Sequence, residues 1–447
     1  MNYNRWVAWS IQSVNRKIFA AIITVGSMTL VVKLAVTAQH LILAHQFGTG
    51  DAVDAYIIAF LIPSFTLSII SGALNAAFLP AFIRVREKSG EAAAQQLFSN
   101  VTFWSVGLIV MILVIMGLLA PILLPFLGAG FDPAKLDLTR RLFYLLLPVV
   151  CLNGFSSLWA SILNAGERFL LAAFAPIAIP IITIILLITV GKIMGIYALA
   201  AGTIIGFFLE ALILGHAILK SGFSLKPRWI GIDPAMRQVI GQFLPMAAGA
   251  LLMSSTDLID KSMAAMLDPG SVSALGYGNK IVLFLLNIGS FALSTAVFPH
   301  FSNMVIQKDW NGIRHILKWY GTFILIISVP LTALLFYFSE PIISVIYERG
   351  RFSSGDTLIV SKIQACYVLQ TPFYLLGILG VRLLSALAKN QILMVISGVS
   401  LVINIFGNIL FIKLLGVAGI GLSTSLVYAV SSLLIMWMLY EQLKKKN

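Results

Sequence analysis

Long apolar runs separated by short charged stretches dominate the chain. Twelve runs reach the length of about 20 mostly apolar residues that a helix needs to cross a bilayer. They lie at 18–46, 54–82, 101–127, 140–165, 169–192, 196–219, 239–266, 272–304, 319–339, 357–388, 392–412 and 416–440. The longest basic linker, Lys220 to Arg237, falls almost at the centre. It divides the chain into a first six-helix bundle over 18–220, a linker over 221–238 and a second bundle over 239–447. Residues 1–17 carry Arg5, Arg16 and Lys17 with Trp6 and Trp9 between, the pattern of an interfacial amphipathic lead-in rather than a cleavable signal. The expected fold is an all-α polytopic membrane protein.

The two bundles repeat one another. Ala76-Ala77-Phe78-Leu79-Pro80-Ala81-Phe82 answers to Thr295-Ala296-Val297-Phe298-Pro299-His300-Phe301, and Pro121-Ile122 answers to Pro341-Ile342. Pro148 and Pro372 follow at a similar offset. Six spans per half is an even number, so the halves share an orientation and are related by an axis along the membrane normal. That is the parallel repeat of rocking-bundle transporters, which place substrate between the halves near mid-membrane.

Charge then fixes the expected topology. Eighteen of the 30 basic residues sit on the N-terminus and every second loop, against seven on the alternate loops. By the positive-inside rule both termini face the cytoplasm. The net charge of +13 therefore reflects orientation rather than a nucleic-acid partner, and only 11% of residues are charged, with a mean hydropathy of +0.98. Cys151 and Cys366 are too few for a disulfide framework and lie in apolar runs. No phosphate-binding loop, nucleotide-binding domain or metal-ligand spacing is present, so an enzyme is not expected, and an ion gradient, the membrane potential or the substrate's own gradient must supply the driving force.

Polar residues inside the spans mark the candidate site. On a helical wheel of span one, Gly26, Thr29, Lys33, Thr37, His40 and Ala44 share a stripe. A cation near mid-membrane costs about 2.5–3.5 kcal/mol on insertion scales, so it should face protein or a watery cavity. In span seven Ser254, Asp257 and Lys261 share a face and Asp260 lies within about 60° of it. Asp257 and Lys261 can pair at i, i+4, as a self-neutralising structural pair, while the second aspartate leaves a carboxylate to bind a cation or a proton. Asn279 and Lys280 open span eight, where Lys280 reads either as a cavity cation or as a snorkelling interfacial lysine. In span eleven Ser397, Ser400, Asn404 and Asn408 form a stripe of neutral oxygens, suited to a hard monovalent cation or to interhelical hydrogen bonds. Asn75 either lines the cavity or satisfies a kinked backbone.

The sequence resembles the MurJ (MviN) family of lipid II flippases, in the superfamily that also holds polysaccharide flippases and MATE drug exporters. The resemblance rests on Phe47-Gly48-Thr49-Gly50 through Asp54-Ala55-Tyr56 to Pro63, Gly72-Ala73-Leu74-Asn75 through Pro80, Gly270 to Leu275 with Tyr277, and Tyr347-Glu348-Arg349-Gly350-Arg351-Phe352 with Asp356-Thr357. It implies a MATE/MurJ-like pair of six-helix bundles in the bacterial inner membrane, with an undecaprenyl-pyrophosphate-linked sugar precursor as substrate. The chain is expected to work as a monomer among membrane lipids, without a cofactor and with sodium or proton coupling. The cavity arginines of that family fall here on Lys33, Gln39, Leu67 or Ser68, and Lys280, so Lys33 and Lys280 are the expected pyrophosphate contacts, assisted by His40 and Asn279. A family sodium site maps onto Asp260, Asn404, Asn408 and Thr424. The two further C-terminal helices of many family members are not in this sequence, which ends at Asn447. With fewer cavity cations, a related lipid-linked unit for an exopolysaccharide is an alternative substrate. Further alternatives are a MATE-like cation-coupled drug exporter and a non-transporting scaffold. Against the exporter, the spans hold five basic residues (Lys33, Lys261, Lys280, Lys362, Arg382) and three acidic ones (Glu210, Asp257, Asp260).

Overall fold

The apolar runs fold as helices throughout the computed structural model, which describes residues 3–387 and 389–444. In chain order these are α1 (Tyr3–Phe47), α2 (Asp51–Leu127), α3 (Pro133–Leu146), α4 (Pro148–Ala165), α5 (Phe169–Phe174), a 3₁₀ turn (Ala175–Ile177), α6 (Ala178–Met194), α7 (Ile196–Lys220) and α8 (Pro234–Ala264). They continue as α9 (Ser271–Gln307), α10 (Trp310–Tyr337), α11 (Ser339–Tyr347), α12 (Ser354–Val368), α13 (Thr371–Ala386), α14 (Asn390–Leu415) and α15 (Ala418–Lys444). No strand occurs among the described residues. The lead-in is helical from Tyr3, and its side chains lie outside the described residues.

Eleven helical stretches are long and apolar enough to cross a membrane among the described residues. One of them is α2, at 77 residues. A straight helix of that length would run about 115 Å at 1.5 Å per residue, several times the roughly 30 Å hydrocarbon core. Gly90, at φ 85° and ψ 178°, breaks it between the expected spans 54–82 and 101–127. Taken as two crossings, α2 restores the twelve spans read from the sequence. Proline sets two further breaks. Span four is interrupted between α3 and α4 at Pro148, and span ten between α12 and α13 before Pro372, because proline has no N–H to continue the ladder. Large apolar side chains turn outward, with Ile193 87%, Leu118 73% and Ile122 70% exposed, as lipid-facing surface requires.

By proximity of the chain the molecule divides into two compact units. The first comprises Met1–Ile42, Ile62–Ala120 and Arg141–Ala250, and the second Leu43–Leu61, Pro121–Arg140 and Leu251–Asn447. The sequence repeat assigns 43–61 and 121–140 to the first half, whereas their contacts assign them to the second unit. The core of the first unit gathers Phe78, Phe82, Phe98, Leu158, Ile162, Leu214 and Ile218. Its central linker is strapped to α2. Asn100 Nδ2 donates to the Gly231 carbonyl at 2.7 Å, Arg228 N to the Ser99 carbonyl at 3.2 Å, and Ser224 N to Gln95 Oε1 at 2.8 Å. The core of the second unit gathers Phe301, Ile313, Leu379, Leu383 and Leu439.

Candidate functional site

Two networks, each centred on a buried carboxylate, organise the second unit. In the first, Asp260 of α8 is 7% exposed. Asn404 Nδ2 and Asn408 Nδ2, one turn apart on α14, donate to its Oδ1 at 3.0 and 2.7 Å. Thr424 Oγ1 on α15 donates to its Oδ2 at 3.2 Å. All four residues of the expected cation set therefore converge. The Oδ1 atoms of Asn404 and Asn408 are buried and have no hydrogen-bond partner. A buried amide oxygen without a partner costs about 1–3 kcal/mol, so the cluster has unused acceptor capacity beside a carboxylate. Asp257 and Lys261 pair with each other instead, at 2.7 Å and with side chains 61% and 26% exposed. An exposed pair of this kind contributes little to stability. The i, i+4 geometry thus neutralises Asp257 and leaves Asp260 to the amides.

The second network was not among the expected site residues. Asp54, in the first turn of α2, is 1% exposed. Its Oδ2 accepts from Lys135 Nζ at 2.9 Å and from Gly270 N at 2.8 Å, and its Oδ1 accepts from Ser273 N at 2.8 Å. It therefore caps the start of α9, where free N–H groups and the helix dipole favour an anion. Lys135 is itself buried, donates to Asp51 Oδ1 at 2.7 Å, and lies 4.0 Å from the centre of the Phe131 ring. Around this pair the chain is held by backbone. Arg351 N donates to the His45 carbonyl at 2.9 Å and Tyr277 Oη to the Gly48 carbonyl at 3.3 Å, while Thr49 Oγ1 donates to the Asp356 carboxylate. Tyr277, Tyr347 and Phe352 stack into one aromatic cluster, and burial pushes the Tyr347 phenol above its ordinary range. The only sequence signal for Asp54 was its place in the Phe47–Pro63 segment that carries the resemblance.

Gly270 is one of the tight points of this network. Its φ is +87°, and a Cβ there would lie 2.7 Å from the Thr49 carbonyl oxygen. Gly270→Ala combines a left-handed penalty of about 1–2 kcal/mol with that overlap. A lower melting midpoint in detergent is expected; an unchanged midpoint would show that the α9 start adjusts freely.

The remaining expected residues are distributed as follows. In the first unit, Lys33 is exposed and Thr37 Oγ1 donates to its carbonyl at 2.9 Å; Thr29 is also exposed and His40 is half-buried. Asn75 donates to the Ser71 carbonyl at 2.9 Å and accepts from Ser161 Oγ, so it ties α2 to α4. In the second unit, Asn279 and Lys280 are half-buried on α9, and Asn279 Oδ1 is a buried oxygen without a partner. Cys151 and Cys366 are free thiols.

Family comparison decides which transporter this scaffold serves. The family profile described as "Lipid II flippase MurJ" matches residues 43–447. The chain belongs to the MurJ family. A "Probable lipid II flippase MurJ" from Synechocystis is 28% identical over 436 residues, covering 94% of this chain and 81% of the relative. A "Lipid II flippase MurJ" from Burkholderia cenocepacia is 24% identical, covering 94% and 83%. Among solved structures, a lipid II flippase MurJ in an inward closed conformation superposes with a TM-score of 0.82 at 23% identity, covering 94% of this chain and 87% of that one. An inward-facing MATE multidrug transporter superposes at 0.78 with 13% identity, covering 95% and 99%. The fold is thus common to MurJ and MATE proteins, while the sequence match is to MurJ. Membership of MurJ makes this chain a polytopic membrane transporter and not an enzyme.

Proposed function

We propose that this protein turns over lipid II, an undecaprenyl-pyrophosphate-linked precursor, across the bacterial inner membrane by alternating access. The observation that carries the reading is the MurJ match over residues 43–447. Lys33 supports it chemically. An exposed ammonium within a spanning segment offers a point charge to a phosphate, and Lys280 on α9 is a second lysine of the same kind. His40 and Asn279 would assist as polar neighbours. The excess of basic residues on alternate loops supports cytoplasmic termini.

The Asp260 cluster would hold the coupling ion. A 180° turn of the Asn404 and Asn408 amides exchanges their N and O atoms, which are alike in shape. Both amide oxygens would then join the Asp260 carboxylate and Thr424 Oγ1 in an all-oxygen set, which hard cations prefer. Sodium fits that donor set, and the partnerless Oδ1 atoms supply the acceptors it needs.

Complementation of a MurJ-depleted strain tests the substrate. Wild type should restore growth. The double variant Lys33→Gln/Lys280→Gln should lose at least tenfold in rescue, because a hydrogen bond to a charged partner contributes about 1.5–3 kcal/mol. Lys33→Arg/Lys280→Arg should keep function. Full rescue by the glutamine pair would remove the phosphate role. Lysine at only two of the four cationic positions that the family resemblance maps favours a second reading, a different lipid-linked sugar unit. Restored exopolysaccharide export without restored growth would select it.

A further inference from the structure

The inward face of α10 carries two hydroxyls that make no hydrogen bond. Its buried positions Ile324, Ser328, Thr332 and Leu335 recur at helical spacing, while Phe323, Ile326 and Ile327 turn outward. Serine and threonine inside a spanning helix commonly donate to the carbonyl four residues back. Thr183, Thr203 and Ser339 do so, at 2.8, 2.9 and 2.6 Å. Ser328 Oγ and Thr332 Oγ1 are buried and have no such partner.

Within the second unit α12 packs against α10 and brings a fully buried amide to it. Gln364 is 0% exposed, and among the described residues neither its Oε1 nor its Nε2 has a hydrogen-bond partner. Leaving a buried donor or acceptor unmade costs more than a typical hydrogen bond contributes, and the hydrocarbon around a spanning helix supplies no substitute. None of the buried residues of α10 or α12 is charged. The two helices therefore offer an uncharged set that both donates and accepts. A bare cation would find no countercharge there, whereas water, which donates and accepts in turn, matches the set.

The same stretch of α12 reaches the Asp260 cluster. Tyr367, three residues after Gln364, shares a hydrogen bond with Thr424, which in turn donates to Asp260. Ser425 Oγ of α15 donates to the Cys366 carbonyl at 2.6 Å and so holds α12 at that level. We propose that the α10–α12 interface holds ordered water anchored by Gln364, Ser328 and Thr332, and that this water hydrates the cation as it enters and leaves Asp260. The water rests on the unpaired groups alone, while its access role rests on Asp260 as the cation site. An ion stripped of its shell in an apolar unit pays heavily, and water one helical turn away shortens that step.

Radiolytic hydroxyl-radical footprinting of the full-length purified chain tests the water, because radicals formed from ordered water label the side chains beside it. Tyr367 is 2% exposed, too little for bulk solvent to label it. Wild type should show Tyr367 modified, and Gln364→Leu should lower that modification about tenfold, the effect of one lost hydrogen bond. Ser328→Ala/Thr332→Val should lower it too, and carries the comparison should Gln364→Leu fail to fold. Thr183→Val, whose hydroxyl already donates within its own helix, should leave it unchanged. Release of radiolabelled sodium should slow about tenfold in Gln364→Leu, by the same lost hydrogen bond, with the sodium-dependent rise in melting temperature retained. An unlabelled Tyr367 in wild type would overturn the water. Equal sodium release from wild type and Gln364→Leu would overturn its access role. A labelled Tyr367 in a wild type that binds no sodium would support the water and overturn Asp260 as the cation site, the access role falling with it.

Discussion

Asp54→Ala is expected to cost about 3–5 kcal/mol of stability. Removing one partner of a buried pair leaves the other charge uncompensated, and that is what makes such deletions severe. Lys135 would keep its ammonium in a side chain only 5% exposed, with Asp51 as its remaining carboxylate. Asp51 is 55% exposed, so solvent screens most of what it offers. The same substitution also strips the start of α9 of two acceptors, at Gly270 N and Ser273 N. Thermal and denaturant unfolding in detergent would measure the loss. The double variant Asp54→Ala/Lys135→Met should recover part of it, because the stranded charge is gone. Equal unfolding midpoints for the single and double variants would show that the lysine is not the source of the penalty.

Asp260→Ala is expected to abolish ion-coupled transport, with at least a hundredfold fall in substrate turnover, and to remove any sodium-dependent rise in melting temperature. An ion that binds only the folded state stabilises it by mass action, so wild type should melt higher in sodium than in choline. Asp260→Asn separates charge from hydrogen bonding. It retains a side chain of the same shape among Asn404, Asn408 and Thr424 but carries no charge to hold a cation. Loss of the sodium response in Asp260→Asn with folding intact is the expected result. A sodium response that survives in Asp260→Asn would move the ion elsewhere.

Much of this architecture is legible in the sequence because it is local. A span is announced by its own residues, and a break by its own Pro148 or Pro372. The Asp257–Lys261 pair follows from helical spacing alone. Asp260 with Asn404 and Asn408 was readable only with the family resemblance added, since its partners lie 144 and 148 residues away. Asp54 was not readable as a network centre. A carboxylate in the first turn of a helix ordinarily caps its own helix, and nothing nearby signals that this one caps another 216 residues on. Lys135 was counted among loop cations for the same reason, because burial is a tertiary property.

The Asp54 cap also imposes an order on synthesis. When the ribosome has completed α7, Asp54 and Lys135 can already meet, but Gly270 and Ser273 have not been made. The strap from His45 to Arg351 and from Thr49 to Asp356 waits longer still, the latter across 307 residues. Residues 43–61 and 121–140 must therefore sit in the translocation machinery or the bilayer with their final partners missing for most of the chain's production.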